Sequence, residues 1–331
     1  MRKTLDLEHG SDICCGGRAM NDKILETSEV VRTVHPPSRI VSLTPSASEL
    51  ICLLGGIDEI VGRDDHSSFP PGLDEKPPLG SGIRNTINVE GVLDLDPDVV
   101  VAGRHIAPET FEKIESAGVP VVVVGTCCEV ESLIRNVRAL GEMMDANEKA
   151  EELVDFVQRY ANLVLSRTKD LEIDDKPRVY HECAFGKYKT TGAGTAADLC
   201  IALAGGANIA ADELSDKQIV SGDWVAEKNP NIIISQVSSL VRPAEEALRK
   251  KRDEILSRPE LKKTDAVRTG KVHVSHLSLR RGPRSVGYLL YLGRWFHPDL
   301  FEDVDPAAVE QELLQKFYGL SLDGIWAYPE I

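Results

Sequence analysis

The 331-residue sequence has few aromatic residues, no long apolar run and no excess of positive charge. Aromatic residues make up 5% of the chain, so a large aromatic cage around a ligand is not expected. No stretch approaches the roughly 20 consecutive apolar residues that a membrane-spanning helix needs. The 53 acidic residues outnumber the 38 basic ones, and the net charge of −15 argues against nucleic acid or an anionic membrane surface as a partner.

The opening of the chain lacks the continuous apolar core of a secretory signal and carries acidic residues early. Residues 1–37 are polar and without hydrophobic periodicity, so we predict a loose tail there. The seven cysteines show no recognisable disulfide framework, and their odd number favours reduced thiols. Two of them, Cys14 and Cys15, lie in this tail and receive no assigned role. Either the export signal is absent from this chain or the protein stays in the cytoplasm.

The longest predicted helix covers residues 146–170 and contains neither Gly nor Pro. Its apolar residues recur at steps of three and four, so one stripe of the helix is buried and the rest is solvated. At about 1.5 Å per residue it spans on the order of 37 Å, roughly the width of a small domain. We predict that this rigid helix joins two lobes, residues 38–145 and 176–304, and that residues 305–331 form a C-terminal helix and tail.

Each half of the chain alternates short apolar strands with helices, which is typical of an α/β fold with mainly parallel sheets. The two halves also repeat a local pattern. Glu90 lies seven residues before Pro97, Asp223 lies seven residues before Pro230, and a β-branched run follows each proline. We therefore predict an internal duplication, two similar lobes and a ligand cleft between them.

The first helix of the chain is predicted to begin near Ser46. Ser46 and Glu49 have the three-residue spacing of a capping box, in which the two side chains satisfy backbone N–H groups of the first turn. A proline beside Ser46 also suits the first turn of a helix. We expect the Glu49 side chain to lie at this helix start.

Parallel sheets bind ligands at the carboxyl ends of their strands, and the loops there carry the candidate ligand-binding residues. Guanidinium groups suit the oxygens of an anionic chelate, imidazoles suit an axial metal position, and aromatic rings suit stacking on a flat macrocycle. An ordinary solvated loop residue is the alternative interpretation for each single arginine or histidine. The candidates are Arg84, Arg104, Arg280, Arg281, His66, His105, His181, Tyr188 and Trp224.

Seven segments stand out by their order and spacing along the chain: RIVSLTPSASEL (39–50), FPP (69–71), NVEGVLDLDPDVV (88–100), AGGANI (204–209), VSGDWV (220–225), AVRTGKV (266–272) and HPDLF (297–301). In this order and spacing they resemble the solute-binding proteins of ABC importers for iron chelates and vitamin B12. The resemblance covers residues 38–302 and implies two α/β lobes bridged by one long helix. It also implies a protein without catalytic activity that delivers a metal chelate or corrinoid to a membrane permease.

The resemblance assigns a role to the two repeated acids. In this family one carboxylate on each lobe docks onto arginines of the permease, and Glu90 and Asp223 match those positions. Asp stands where the family usually has Glu on the second lobe, and its shorter side chain weakens or re-aims that contact. From the residues alone, the favoured explanation is that both acids are helix N-terminal residues that interact favourably with the helix dipole, and it is the resemblance that favours docking.

The resemblance further implies an extracytoplasmic location, periplasmic or at the cell surface. We expect a monomer with no cofactor of its own, whose ligand carries Fe or Co. The sequence leaves open whether this ligand is a corrinoid, a ferric siderophore or haem.

A cytosolic two-lobed metallo-enzyme or metallochaperone is the alternative. It would use cysteine and histidine ligands at the cleft, and its candidate residues are Cys127, Cys128, His181 and Cys183. The thiols and the missing export signal favour this interpretation. The sequence has no recognised metal-ligand spacing or catalytic dyad, which weighs against it.

Overall fold

The computed structural model describes residues 36–329 except 83, 126–128, 185, 216 and 239–244. The predicted tail lies almost entirely outside these residues, as do Cys14, Cys15, Cys127 and Cys128. The described part of the chain forms an α/β fold with two mainly parallel sheets, as the sequence predicts.

Parallel strands β1 (Ile40–Ser42), β2 (Ile60–Arg63), β3 (Val99–Gly103) and β4 (Val121–Val124) form the first sheet. They lie in the order β2–β1–β3–β4. Every residue of β1, β3 and β4 is buried, which explains why these strands are made largely of Val and Ile. The helices of this half are α1 (Pro45–Leu53), α2 (Val89–Asp94), α3 (Pro108–Ser116) and α4 (Val130–Met143), with a 3-10 turn at Leu73–Glu75.

Strands β5 (Arg178–Glu182), β7 (Ala207–Asn208), β9 (Ile232–Val237), β10 (Val272–His276) and β11 (Ala327–Tyr328) form the second sheet, in the order β11–β10–β9–β5–β7. Its strand pairs are parallel except for the antiparallel pair of β10 and β11. A separate antiparallel pair joins β6 (Lys189–Thr191) to β8 (Lys217–Ile219). The helices of this half are α6 (Ala196–Leu203), α7 (Gly222–Lys228), α8 (Glu245–Leu256), α9 (Asp265–Arg268), α10 (Ser285–Phe296) and α11 (Pro306–Tyr318). Its 3-10 turns are Ile173–Asp175, Pro259–Leu261, Leu277–Arg280 and Gly282–Arg284.

The long helix α5 (Asn147–Thr168) lies within its predicted range and joins the two halves. Its first turn packs closely on α4, where a Cβ added at Gly141 would come within 2.4 Å of the Ala150 Cβ. Its last turn contacts the second half through Thr168, whose hydroxyl donates to the backbone carbonyl of Leu203 at 2.8 Å. Buried apolar residues of both sheets and of α5 form one contiguous cluster, so the long helix packs into a core that both halves share.

The predicted duplication is visible in the backbone around α2 and α7. The side chains of Asn88 and Ser221 cap these two helices by accepting a hydrogen bond from a backbone N–H of the first turn. A left-handed residue follows each helix directly before a proline, namely Asp96 with φ 46° and Asn229 with φ 43°. Both prolines lead into a central strand of their sheet, β3 or β9.

The strand registers extend this correspondence to single positions. Counted from the preceding proline, Val101 of β3 corresponds to Ile234 of β9. Ser42 of β1 pairs with Val101, and His181 of β5 pairs with Ile234. Ser42 and His181 therefore occupy equivalent places in the two sheets.

Among the helices that the structure describes, none combines the length and apolar character required to cross a bilayer.

Candidate functional site

The carboxyl end of the first sheet carries three of the predicted ligand-binding residues. His66 follows β2 and is half-buried, and its backbone N–H donates to Asp64 Oδ2 at 3.1 Å. Arg104 and His105 follow β3 directly and are exposed. The ring of His105 still lies against the backbone of Gly103, where an added Cβ would come within 2.6 Å of its Cε1. This partial desolvation lowers the pKa of His105 and favours the neutral imidazole.

A buried series of hydrogen-bonded hydroxyl groups lies beneath the carboxyl end of the first sheet. The sequence analysis missed this series. The Oγ of Ser48 lies 2.8 Å from the Oγ of Ser42 and 2.9 Å from that of Ser67. The Ser67 hydroxyl in turn donates to Asp64. Burial raises the pKa of Asp64, and the hydrogen bonds from Ser67 and the loop backbone offset part of that rise. The three serines lie in a strand, a helix and a loop, so no local sequence pattern reveals this hydrogen-bonded series.

The carboxyl end of the second sheet carries His181, which is 1% exposed. Its Nδ1 lies 2.9 Å from the Oγ1 of Thr191, and Gln236 lies beside the ring. The Oε1 of Gln236 accepts a hydrogen bond from Arg280 Nη1 at 2.9 Å. Burial and, to a smaller extent, the positive charge of Arg280 together lower the pKa of His181 to about 3. The imidazole is therefore neutral at physiological pH.

The loop that follows β10 forms the seam between the lobes. Its 3-10 turn Gly282–Arg284 packs on α1 of the first half. Arg281, which is half-buried, lies close enough to Asp64 and Glu49 for its positive charge to lower the pKa of both carboxyl groups. The structure thus brings Arg280 to the second sheet and Arg281 to the first.

Arg284 lies in the same seam and is 1% exposed. Its Nε donates to the carboxylate of Glu310 on α11, which is equally buried. The Arg284 guanidinium carbon lies 4.0 Å from the ring centroid of Trp326 and 5.2 Å from that of Phe69. One cation therefore holds together the first half, the second half and the C-terminal helix.

Glu49 faces this seam, and the predicted capping box is wrong. The N-cap of α1 is Thr44, and the described structure shows no side-chain hydrogen bond at that cap. Glu49 is instead 2% exposed. Burial raises its pKa, the positive charges of Arg284 and Arg281 offset part of the rise, and the net result is a pKa of about 7. A neighbour 235 residues away in the chain, rather than the local helix start, decides where this side chain lies.

Tyr188 and Trp224 lie apart from the His181–Arg280 group. Tyr188 is 9% exposed and belongs to the apolar cluster on the opposite face of the second sheet. Its hydroxyl donates to Glu260, and the guanidinium carbon of Arg258 lies 4.7 Å from its ring centroid. The Trp224 indole N–H donates to a carboxylate of the loop before β8. Both rings therefore make contacts within the second lobe and lie apart from His181 and Arg280.

The two predicted docking acids occupy equivalent positions. Glu90 is the second residue of α2, Asp223 is the second residue of α7, and both are exposed. Arg84, the remaining ligand-binding candidate, is exposed in the loop before α2.

The described residues contain no group of three or more His, Cys, Asp or Glu side chains that could hold a metal ion. Of the four candidate metal ligands, Cys127 and Cys128 lie outside the described residues. Cys183 is buried, and burial raises the pKa of its thiol, so the thiolate that a metal would need is disfavoured.

Comparison with known proteins identifies the fold family. The family model described as "Periplasmic binding protein" matches residues 40–276, well over half of the chain. The chain belongs to the periplasmic binding protein family. A relative from Halobacterium salinarum, named cobalamin-binding protein, is 29% identical over 215 residues, which cover 61% of this chain and 55% of that protein. The chain thus spans only about half the length of that relative.

Other relatives match over a larger share of their length. The Bacillus subtilis ABC transporter substrate-binding lipoprotein YvrC is 24% identical over 273 residues, covering 81% of this chain and 82% of that protein. The solved structure of the TroA-like periplasmic binding protein FepB from Veillonella parvula superposes with a TM-score of 0.77 at 24% identity, covering 89% of this chain and 95% of that one. A periplasmic heme-binding protein from Pseudomonas aeruginosa superposes with a TM-score of 0.65 at 27% identity, covering 80% of this chain and 94% of that one. These structures confirm the two-lobed fold of the family.

Proposed function

We propose that this protein is the solute-binding component of an ABC importer and captures a corrinoid between its two lobes. The observation that carries the proposal is the similarity to family members named cobalamin-binding and vitamin B12-binding protein in Halobacterium salinarum and Vibrio cholerae. The fold supports it, because the carboxyl ends of both sheets meet at the seam formed by the loop after β10. The protein binds and releases its ligand without chemical change.

A ferric siderophore is the second candidate ligand. The arginines at the carboxyl ends of the strands support it, because guanidinium groups bind the anionic oxygens of such chelates. They are Arg104, Arg280 and Arg281, and the exposed Arg84 of the loop before α2 adds a further guanidinium group.

Titration calorimetry with cyanocobalamin, a ferric triscatecholate and haemin distinguishes the candidates. We expect a saturable one-to-one isotherm with cyanocobalamin in the micromolar range or tighter. A ferric triscatecholate that binds at least tenfold more tightly would replace the corrinoid proposal with the second candidate. Binding of none of the three, together with a metal retained after anaerobic purification, would favour the metallo-enzyme alternative.

In this proposal Glu90 and Asp223 dock onto basic residues of the permease. Their equivalent positions on the two lobes and their exposure support the role. Reversal of both charges, Glu90→Arg with Asp223→Arg, is expected to reduce transport by the reconstituted importer more than tenfold and to leave ligand affinity within twofold. Reversal of two other exposed first-turn acids, Glu109 and Glu131, is the matched control. An equal loss with the control pair would remove the docking role.

We also infer an extracytoplasmic location and a monomeric state. The lipoprotein and periplasmic names of the relatives support the location. Fractionation of cells that express the native gene checks it.

A further inference from the structure

Three polar side chains lie together at the carboxyl end of the second sheet, and we name His181, Gln236 and Ser275 the second-lobe polar cluster. Ser275 pairs with Gln236 across β10 and β9, and His181 pairs with Ile234, two residues before Gln236. The three side chains therefore point to the same face of the sheet. Each is at most 2% exposed.

Each side chain of the second-lobe polar cluster has one atom without a hydrogen-bond partner among the described residues. These atoms are His181 Nε2, Gln236 Nε2 and Ser275 Oγ. Buried polar atoms are almost always satisfied, because an unsatisfied one costs about 1–3 kcal/mol. A group of three on adjacent strands therefore indicates a binding place for something outside the chain.

The first lobe shows that the fold itself does not require such a cluster. Ser42 stands at the place equivalent to His181, and its hydroxyl belongs to the internal chain with Ser48. Counted from the preceding proline, Gly103 stands at the place equivalent to Gln236 and has no side chain. The second lobe alone combines polar side chains here with unsatisfied atoms.

Hydrogen bonds to other residues determine which atoms Gln236 and His181 present to a ligand. Because Gln236 Oε1 accepts from Arg280, the amide presents its N–H donors to the cluster. The His181 Nδ1 is engaged by the Thr191 hydroxyl, which leaves Nε2 for a ligand. When the Thr191 hydroxyl is the donor, the ring proton lies on Nε2, and the cluster presents three hydrogen-bond donors.

The electrostatic surroundings of the cluster are positive. The charged groups that act on His181 are Arg280 and Lys217, and both are cations. Glu182, the neighbouring acid on β5, faces the other side of the sheet, where Arg258 donates to it at 2.6 and 2.8 Å and Lys251 at 2.7 Å. Its charge is thereby neutralised. In a chain with a net charge of −15, such positive surroundings favour an anionic group at this place.

We propose that the second-lobe polar cluster, backed by Arg280, binds an anionic oxygen of the transported ligand, such as a carboxylate, phosphate or other oxyanion group. The inference rests on the proposed function, because the ligand enters at the seam where Arg280 lies beside Arg281. Within it, His181 donates a hydrogen bond to the ligand and does not coordinate the ligand's metal. The second lobe therefore selects for an oxyanion-bearing ligand.

The test follows the side-chain nitrogen resonances of His181 by NMR, with the resonance assigned by its loss in His181→Gln. Molybdate, inorganic phosphate and cyanocobalamin are added separately to the full chain. We expect at least one oxyanion to shift Nε2 saturably and to stabilise the Nε2–H tautomer. In Gln236→Leu and Arg280→Met the affinity for that oxyanion should fall 10- to 100-fold, whereas Arg138→Met, which removes an exposed cation on α4, should change it less than twofold.

The possible outcomes separate this inference from the proposed function. If no oxyanion or cobalamin moves the His181 resonance, or if Gln236→Leu and Arg280→Met bind like the wild type, the inference is overturned. If oxyanions bind at His181 while cyanocobalamin and a ferric triscatecholate bind nowhere, the cluster stands and the proposed ligand is wrong. If cyanocobalamin shifts His181 and dicyanocobinamide, which lacks the phosphodiester, binds at least tenfold more weakly, the phosphate is the recognised group.

Discussion

Removal of the buried cation in the interlobe seam is the most informative perturbation of this fold. Arg284→Met keeps the aliphatic part of the side chain and removes the guanidinium group, and with it the positive charge, the hydrogen bond to Glu310 and the contacts with the rings of Phe69 and Trp326. Arg284 and Glu310 are each 1% exposed, so no solvent screens the loss. Loss of one partner from such a buried pair costs about 3–5 kcal/mol. We therefore expect Arg284→Met to lower the free energy of unfolding by about 3–5 kcal/mol at pH 8.

The loss of unfolding free energy caused by Arg284→Met should be smaller at low pH than at high pH. Without Arg284, the carboxyl groups of Glu310 and Glu49 can lower their burial penalty by taking up a proton. The pKa of Glu49 is already raised to about 7 in the native seam, and that of Glu310 is raised as well. Each unit of further upward shift is worth about 1.4 kcal/mol. The loss of stability should therefore shrink by about 1–3 kcal/mol between pH 8 and pH 5.

Urea unfolding followed by far-ultraviolet circular dichroism, at pH 5 and pH 8, measures both effects. Arg138→Met is the control, because it deletes a cation from an ion pair whose side chains are 51% and 53% exposed, and such pairs contribute about 0–1 kcal/mol. A cost for Arg284→Met as small as that of the control, or one that does not change with pH, would refute the reasoning.

The remaining predictions concern a single carboxyl group, a close backbone contact and the long helix. Glu49→Gln should leave stability at pH 4 unchanged and raise it at pH 8 by about 1–3 kcal/mol, because a carboxyl whose native pKa lies above its unfolded value loses stability as pH rises from about 4.5 to about 7. Urea midpoints across that range check the sign, and a variant that is less stable at pH 8 contradicts it. Gly192→Ala should destabilise the protein by about 1–3 kcal/mol and weaken ligand binding, because the new Cβ would lie 1.8 Å from the carbonyl oxygen of Leu214 beside Thr191. Insertion of a Gly-rich segment near Gln158 should reduce transport more than ligand affinity, and an equal loss of both in paired transport and calorimetry assays would count against a spacing role for α5.

The sequence predicts those features that depend on local periodicity. The apolar stripe of residues 146–170 locates α5 to within two residues at either end, because a long amphipathic helix repeats its signal many times. The repeated acid and proline spacing likewise predicts two similar lobes. Both features follow from patterns contained within a short stretch of chain.

Features that depend on contacts between distant parts of the chain escape this kind of prediction. Glu49 and Ser46 have capping-box spacing, yet burial against Arg284 determines where the Glu49 side chain lies. Tyr188 follows a strand end, as a ligand-stacking residue would, but its positive φ of 59° and its contact with Arg258 turn the ring into the lobe. In both cases the side chain's position depends on an arginine far away in sequence, so no local sequence pattern predicts that position.

The position of Glu310 in the chain has a consequence for biosynthesis. Arg284 emerges from the ribosome 26 residues before Glu310, the partner that compensates its buried charge. At about 5–20 residues per second, that interval lasts a few seconds. In that time the first sheet is already complete, but the seam has an arginine without its carboxylate, and β11 has not yet covered the edge of β10. The lobes therefore become fixed to one another among the last events of synthesis, when Glu310 pairs with Arg284 and β11 completes the second sheet.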